Sequence, residues 1–107
     1  MTSADRRHLR RMLSCLAGLT AGSMSLVTGA DTLLSLRDAL EHVDAKWDES
    51  FTSHVATLES AGVTTDEQRA TMGPSYGKVI SQALGGLESL VKSQLAGDAA
   101  IEVENHG

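Results

Sequence analysis

The 107-residue sequence predicts an all-α protein, a small up-and-down bundle of about four helices. Three observations carry that expectation. Apolar residues recur at i, i+3, i+4 and i+7 along separate stretches, the spacing of one helix face. The apolar residues are mostly Leu, Val, Ala and Met, with one Trp, one Tyr and one Phe, whereas strands draw on β-branched and aromatic side chains. Gly18, Gly22, Gly62, Gly97 and the Gly73-Pro74 pair fall between or near the ends of the stretches, where helices stop.

The first helix is expected from Ser3 or Ala4 to Ala17, with Ser3 as its cap and Gly18 as its stop. Leu9, Met12, Leu13, Leu16 and Leu19 or Thr20 form its stripe. Thr20 to Ser23 reads as the connector, with Ser23 as the next cap. The second helix is expected from Met24 to Val43, its apolar face marked by Leu26, Leu33, Leu36, Leu40 and Val43. Gly29 within it costs about 1 kcal/mol relative to Ala, which implies either a close helix crossing or a local bend. Asp44 caps a third helix from Ala45 to Ser60 that places Trp47, Phe51, Val55 and Leu58 on one side. Ala61-Gly62 reads as its stop, because glycine readily takes the left-handed conformation found there.

Thr65 or Asp66 then opens a further helical piece, with Glu67 and Gln68 in its first turn. Gly73-Pro74 breaks or kinks it, since proline lacks an N–H and restricts its predecessor. The last helix is expected from Pro74 to Ala96, with Tyr76, Ile80, Ala83 or Leu84, Leu87, Val91 and Leu95 as its stripe. Gly85-Gly86 weakens its middle and Gly97 ends it. Residues 3–97 therefore read as one domain and residues 98–107 as a flexible acidic tail.

Charge is uneven along the chain. The net charge is −5, yet Arg6, Arg7, Arg10 and Arg11 crowd the start, and nine acidic residues stand against Arg37 and Lys46 between Asp31 and Glu67. Dense carboxylates steer association with a basic protein and repel phosphates. Asp38, Glu41, Asp44, Asp48 and Glu49 are the candidate partner-binding residues, near the junction of the second and third helices. An ordinary solvated face is the competing reading.

The spacings that carry chemistry do not assemble. His8, His42, His54 and His106 are scattered, and no pair has the i, i+4 spacing of a helical zinc site. No serine stands in a nucleophile elbow, and Gly85-Gly86 lacks the lysine and hydroxyl of a phosphate loop. We therefore expect no catalytic residues, metal, cofactor or small-molecule substrate. His54 reads as a boundary residue beside the third stripe. Cys15, the single cysteine, reads as a buried thiol among leucines, suited to a reducing, cytoplasmic setting.

Two other functions compete with protein binding. The N-terminal arginines could contact phosphates in a regulatory or DNA-associated protein, although the second helix has no Asn or Gln and only Arg37 among the side chains that read base edges. Arg10-Arg11, the modestly apolar run after it and small residues near Thr28-Gly29-Ala30 could form a twin-arginine export signal. The one-sided stripe from Leu9 to Leu19 opposes export, because an export signal needs no such spacing. No run reaches the ~18–20 apolar residues of a membrane span. A homodimer is also open.

The order of elements adds a resemblance. An amphipathic first helix ends in Leu19-Thr20-Ala21-Gly22-Ser23, and a Leu-rich helix follows. Then come Asp44-Ala45-Lys46-Trp47-Asp48-Glu49-Ser50-Phe51, the Leu58-Glu59 pair, and a closing helix opened by Thr65-Asp66-Glu67. Over residues 9–95 this resembles small helical bacterial immunity proteins, encoded beside secreted toxins. The resemblance implies a non-enzymatic inhibitor that binds and blocks a cognate toxin, and it carries over no catalytic residues. The glycines of the second helix and the Gly73-Pro74 break depart from that pattern.

Overall fold

Helix α1 (Ser3–Ala21) opens on Thr2, whose hydroxyl accepts from the Asp5 N–H at 3.0 Å, so the cap lies one residue before the expected Ser3. The helix continues through Gly18 and closes on Gly22 in the left-handed region, with φ 76°. Gly22 and Ser23 N–H groups return to the Gly18 and Leu19 carbonyls, which satisfies the last turn and explains why Gly18 does not stop it. The computed structural model describes the backbone of residues 2–106 and the side chains of residues 2–96.

Helix α2 (Leu26–Asp38) is capped by Ser25 rather than Ser23, and it ends five residues before the expected Val43. Leu40 and Val43 continue the apolar spacing because they still pack on the core, but from a loop. Helix α3 (Ala45–Gly62) starts on Asp44, whose carboxylate accepts from the Lys46 and Trp47 N–H groups. Its end differs from expectation. Gly62 is not left-handed; a side chain there would meet Val27 and Leu26, so the glycine permits a close approach of α3 to α2. Gly29 has the same explanation on α2, where a side chain would collide with Leu19 of α1. The close crossing, not a bend, accounts for that glycine.

Helix α4 (Asp66–Met72) begins with a reciprocal capping box between Thr65 and Gln68. Gly73, at φ 56°, separates it from α5 (Pro74–His106). Helix α5 thus extends past Gly97; the expected acidic tail at residues 98–107 falls outside the described side chains.

The four long helices run alternately up and down. Helix α1 packs on α2 and α5, α3 packs on the same two, and short α4 touches α5 alone. Among the described residues no strand is present. Leu9, Met12, Leu33, Phe51, Leu58 and Leu87 are fully buried at the centre, so each long helix contributes its predicted stripe to one core. Burying one such side chain is worth about 1.5–3 kcal/mol. The N-terminal stripe that competed with an export signal is part of this core. Among the described residues, no helix is long and apolar enough to cross a membrane.

Candidate interaction surface

The up-and-down order gives the bundle two ends of different character. One end gathers the start of α1, the α2–α3 loop and the start of α3, and there the acidic segment meets its structural partners. Arg37 grips both Asp48 oxygens at 2.5 Å through Nε and Nη2, while its Nη1 donates to Asp38 at 2.9 Å. This fork geometry is the preferred arginine–carboxylate arrangement. The Arg37 hydrogen bonds hold the Asp48 carboxyl below its usual range, against partial burial, and raise the guanidinium further above its own.

Asp5 anchors the same end from below. It is fully buried, and its Oδ1 accepts from the Glu41 N–H at 2.8 Å. Burial pushes this carboxyl up, but the Glu41, Thr2 and His42 N–H groups and the nearby His42 charge outweigh that push. The net result is a carboxyl below its ordinary value. Oδ2 makes no hydrogen bond of good geometry, so its stabilisation is the electrostatic field of these donors. Asp5 thereby fixes the loop that terminates α2 early. Above it, Trp47 stacks on Phe51 with centroids 4.9 Å apart and donates from Nε1 to the Leu90 carbonyl at 2.9 Å. The start of α3 is thus tied to α5.

The five candidate residues therefore separate into two groups. Asp48, Asp38 and Asp44 serve structural ends: a clamp, its outer contact and a helix cap. Glu41 and Glu49 are exposed, and among the described residues neither side chain has an ion-pair partner. The sequence placed all five near one junction, which they share, and marked Asp44 as a helix cap, but it did not show that Asp38 and Asp48 were engaged. Arg37, the lone arginine of the acidic stretch, and Asp5, which directly precedes the N-terminal arginines, were the missed residues. A single arginine eleven positions before an aspartate across a helix turn was the available signal.

The other end brings together the end of α1, the start of α2, the end of α3, α4 and the start of α5. Here Tyr76 donates from its hydroxyl to the Ala61 carbonyl at 2.9 Å, and Arg69 lies over the Tyr76 ring, 5.1 Å from its centre. Helix α4 buries none of its residues. An open cleft of about 750 Å³ runs between it and α3, lined by Ser60, Val63, Thr64, Glu67 and Met72, among others. A second opening beside it is lined by Val27, Asp31, Glu59, Ser60 and Val63.

The remaining chemistry-bearing side chains have structural settings. Cys15 is buried, its thiol pointing at the Gly29 carbonyl at 3.6 Å and Met24 Sδ at 3.7 Å, and burial pushes its pKa up. A raised thiol is a poor nucleophile. His54 is half-buried and lies where a side chain on Gly86 would sit, a boundary position as its spacing predicted. Among the described residues, no three of His, Cys, Asp and Glu converge as a metal site. Comparison with family models, curated proteins and solved structures finds no match.

Proposed function

We propose that this chain is a non-enzymatic protein-binding domain whose acidic α2–α3 end docks on a basic protein surface. The observation that carries the reading is the exposed, unpaired pair Glu41 and Glu49 on a junction held rigid by Asp5, Arg37 and Asp44. Rigid presentation reduces the ordering cost of association, and uncompensated carboxylates speed the encounter. The resemblance to immunity proteins supplies the specific form: an inhibitor that occludes a basic surface of a cognate toxin. The free thiol of Cys15 suits a cytoplasmic location. The core role of Leu9, Met12, Leu16 and Leu19 favours retention of the N-terminal segment over its removal as an export signal.

The test captures the products of genes adjacent to this one on the immobilised chain at low salt. The reading expects one such product to bind, and expects Glu41→Lys with Glu49→Lys to weaken it at least tenfold. These two positions are chosen because reversal at Asp44 or Asp48 would also remove a cap or a clamp. Unchanged affinity in the double variant refutes the surface assignment.

Exposure of Arg7, Arg10 and Arg11 along α1 favours a second reading, a DNA-associated protein. It requires a salt-dependent gel shift that disappears when these arginines become alanine.

A further inference from the structure

We propose that the opposite end of the bundle, centred on Val63 between α3 and α4, is the seat of an apolar protein segment flanked by lysines or arginines. The inference rests on the protein-binding reading above and adds a second, chemically different contact to it.

Three observations converge on this place. The large hydrophobic residues left exposed among the described residues are Val63 at 72%, Val27 at 40% and Met72 at 37%. All three line the two adjoining clefts, which share Ser60 and Val63. Scattered single apolar residues on a surface need no explanation, but these three gather around one concave place and so can be covered together by one partner segment. Helix α4 adds a wall that the core does not need, since it buries no residue and touches α5 alone.

Charge selects the occupant. Asp31 and Glu59 stand on one side of Val63 and Glu67 on the other, and no lysine or arginine lines either cleft. The nearby cation, Arg69, is held over Tyr76 and near Asp66. An apolar floor with a carboxylate rim fits an amphipathic helix or loop that presents apolar anchors between basic residues. A second copy of this chain would set the same carboxylates against one another in a two-fold contact, so the occupant is a different protein.

The experiment uses the full chain and a defined probe, an amphipathic helical peptide of about 14 residues with Leu at i, i+3, i+4 and i+7 and Lys elsewhere. A control peptide has the same composition in scrambled order. Backbone amide NMR shifts should change over residues 60–72 and around Val27, and the scrambled peptide should bind at least tenfold more weakly. The variants Val63→Glu and Met72→Glu change exposed side chains, and circular dichroism confirms that they fold. Charge attraction alone predicts tighter binding by these more acidic variants, whereas an apolar seat predicts at least tenfold weaker binding. Tighter or equal binding overturns the proposal, as do shifts mapped to Glu41 and Glu49, or a self-associated chain that Val63→Glu makes monomeric. A natural partner that is lost with Glu41→Lys and Glu49→Lys but indifferent to Val63→Glu overturns the cleft alone. Insensitivity to the first pair with sensitivity to Val63→Glu overturns the acidic-junction reading and keeps the cleft.

Discussion

The two ends of this bundle spend the same kinds of residue in opposite ways. At the α2–α3 end, Asp5, Asp44 and Asp48 each hold backbone or arginine donors, and apolar Leu40 and Val43 turn inward from a loop. At the α3–α4 end, Val63, Val27 and Met72 remain exposed, and Asp31 and Glu67 line open clefts. A count of carboxylates along the chain points to the first end. Availability points to both, and for apolar contact only to the second. Charge density in a sequence therefore measures how much charge is present, not how much is left for a partner.

The largest expected effect is on stability. Phe51 is fully buried and stacked on Trp47 near the closed end. Phe51→Ala should cost about 3–5 kcal/mol, read from the midpoint of urea unfolding. Val63→Ala at the open end should change it by less than about 0.5 kcal/mol. A cost above about 1 kcal/mol for Val63→Ala would mean that this side chain belongs to the core, which removes the contrast between the ends.

The next effect concerns acid. Asp5 and Asp48 both have carboxyls held below their ordinary values in the folded chain. Between the folded and unfolded values the unfolded state binds more protons, so stability rises with pH there. The contribution is complete above the unfolded value of about 3.9 and is lost as pH falls through the folded values. Asp5→Ala should cost about 2 kcal/mol at neutral pH, the scale of a buried charge-assisted hydrogen bond. Asp5→Asn should flatten the acid limb of a Tm-against-pH curve. Asp48→Asn should lower Tm, whereas Glu49→Gln should leave it unchanged. Equal sensitivity of Glu49 would show that the exposed carboxylates are also structural.

The bundle itself was legible because burial repeats at the helical period. All four stripes reached the core, and Asp44, Thr65 and Gly73-Pro74 acted as punctuation where local chemistry predicts it. Most errors share a cause, contacts between segments distant in sequence. Gly62 closes α3 without a left-handed turn because Leu26 and Val27 of α2 pack against it. Gly18, by contrast, continues its helix for a local reason, the left-handed turn falling on Gly22. Helix α2 stops at Asp38 because Asp5, distant in sequence, takes the Glu41 N–H. The site was half legible for the same reason. Proximity of Asp38 to Glu49 can be read along the chain, but engagement by Arg37 is a contact between helices. Val63 sits off the apolar stripe just after a glycine, and periodicity treats such a residue as loop.

The smallest effect locates where close packing stops along α5. Gly85 and Gly86 are neighbours in one helix, yet a side chain on Gly85 would meet open space while one on Gly86 would meet the His54 ring. Alanine lowers the free energy of a helix interior by about 1 kcal/mol relative to glycine. Gly85→Ala should collect that gain in full, about 4–8 °C in Tm for a domain of this size. Gly86→Ala should collect less or lose stability, because the half-buried imidazole must turn away from α5. Gly77, near the open end, also faces open space, so Gly77→Ala should follow Gly85→Ala. The three variants compared by thermal unfolding form a ruler along one helix. If Gly86→Ala stabilises as much as Gly85→Ala, the α3–α5 seam is looser than the His54 contact implies. If Gly77→Ala fails to stabilise, the start of α5 is covered by something, and the open end is not open.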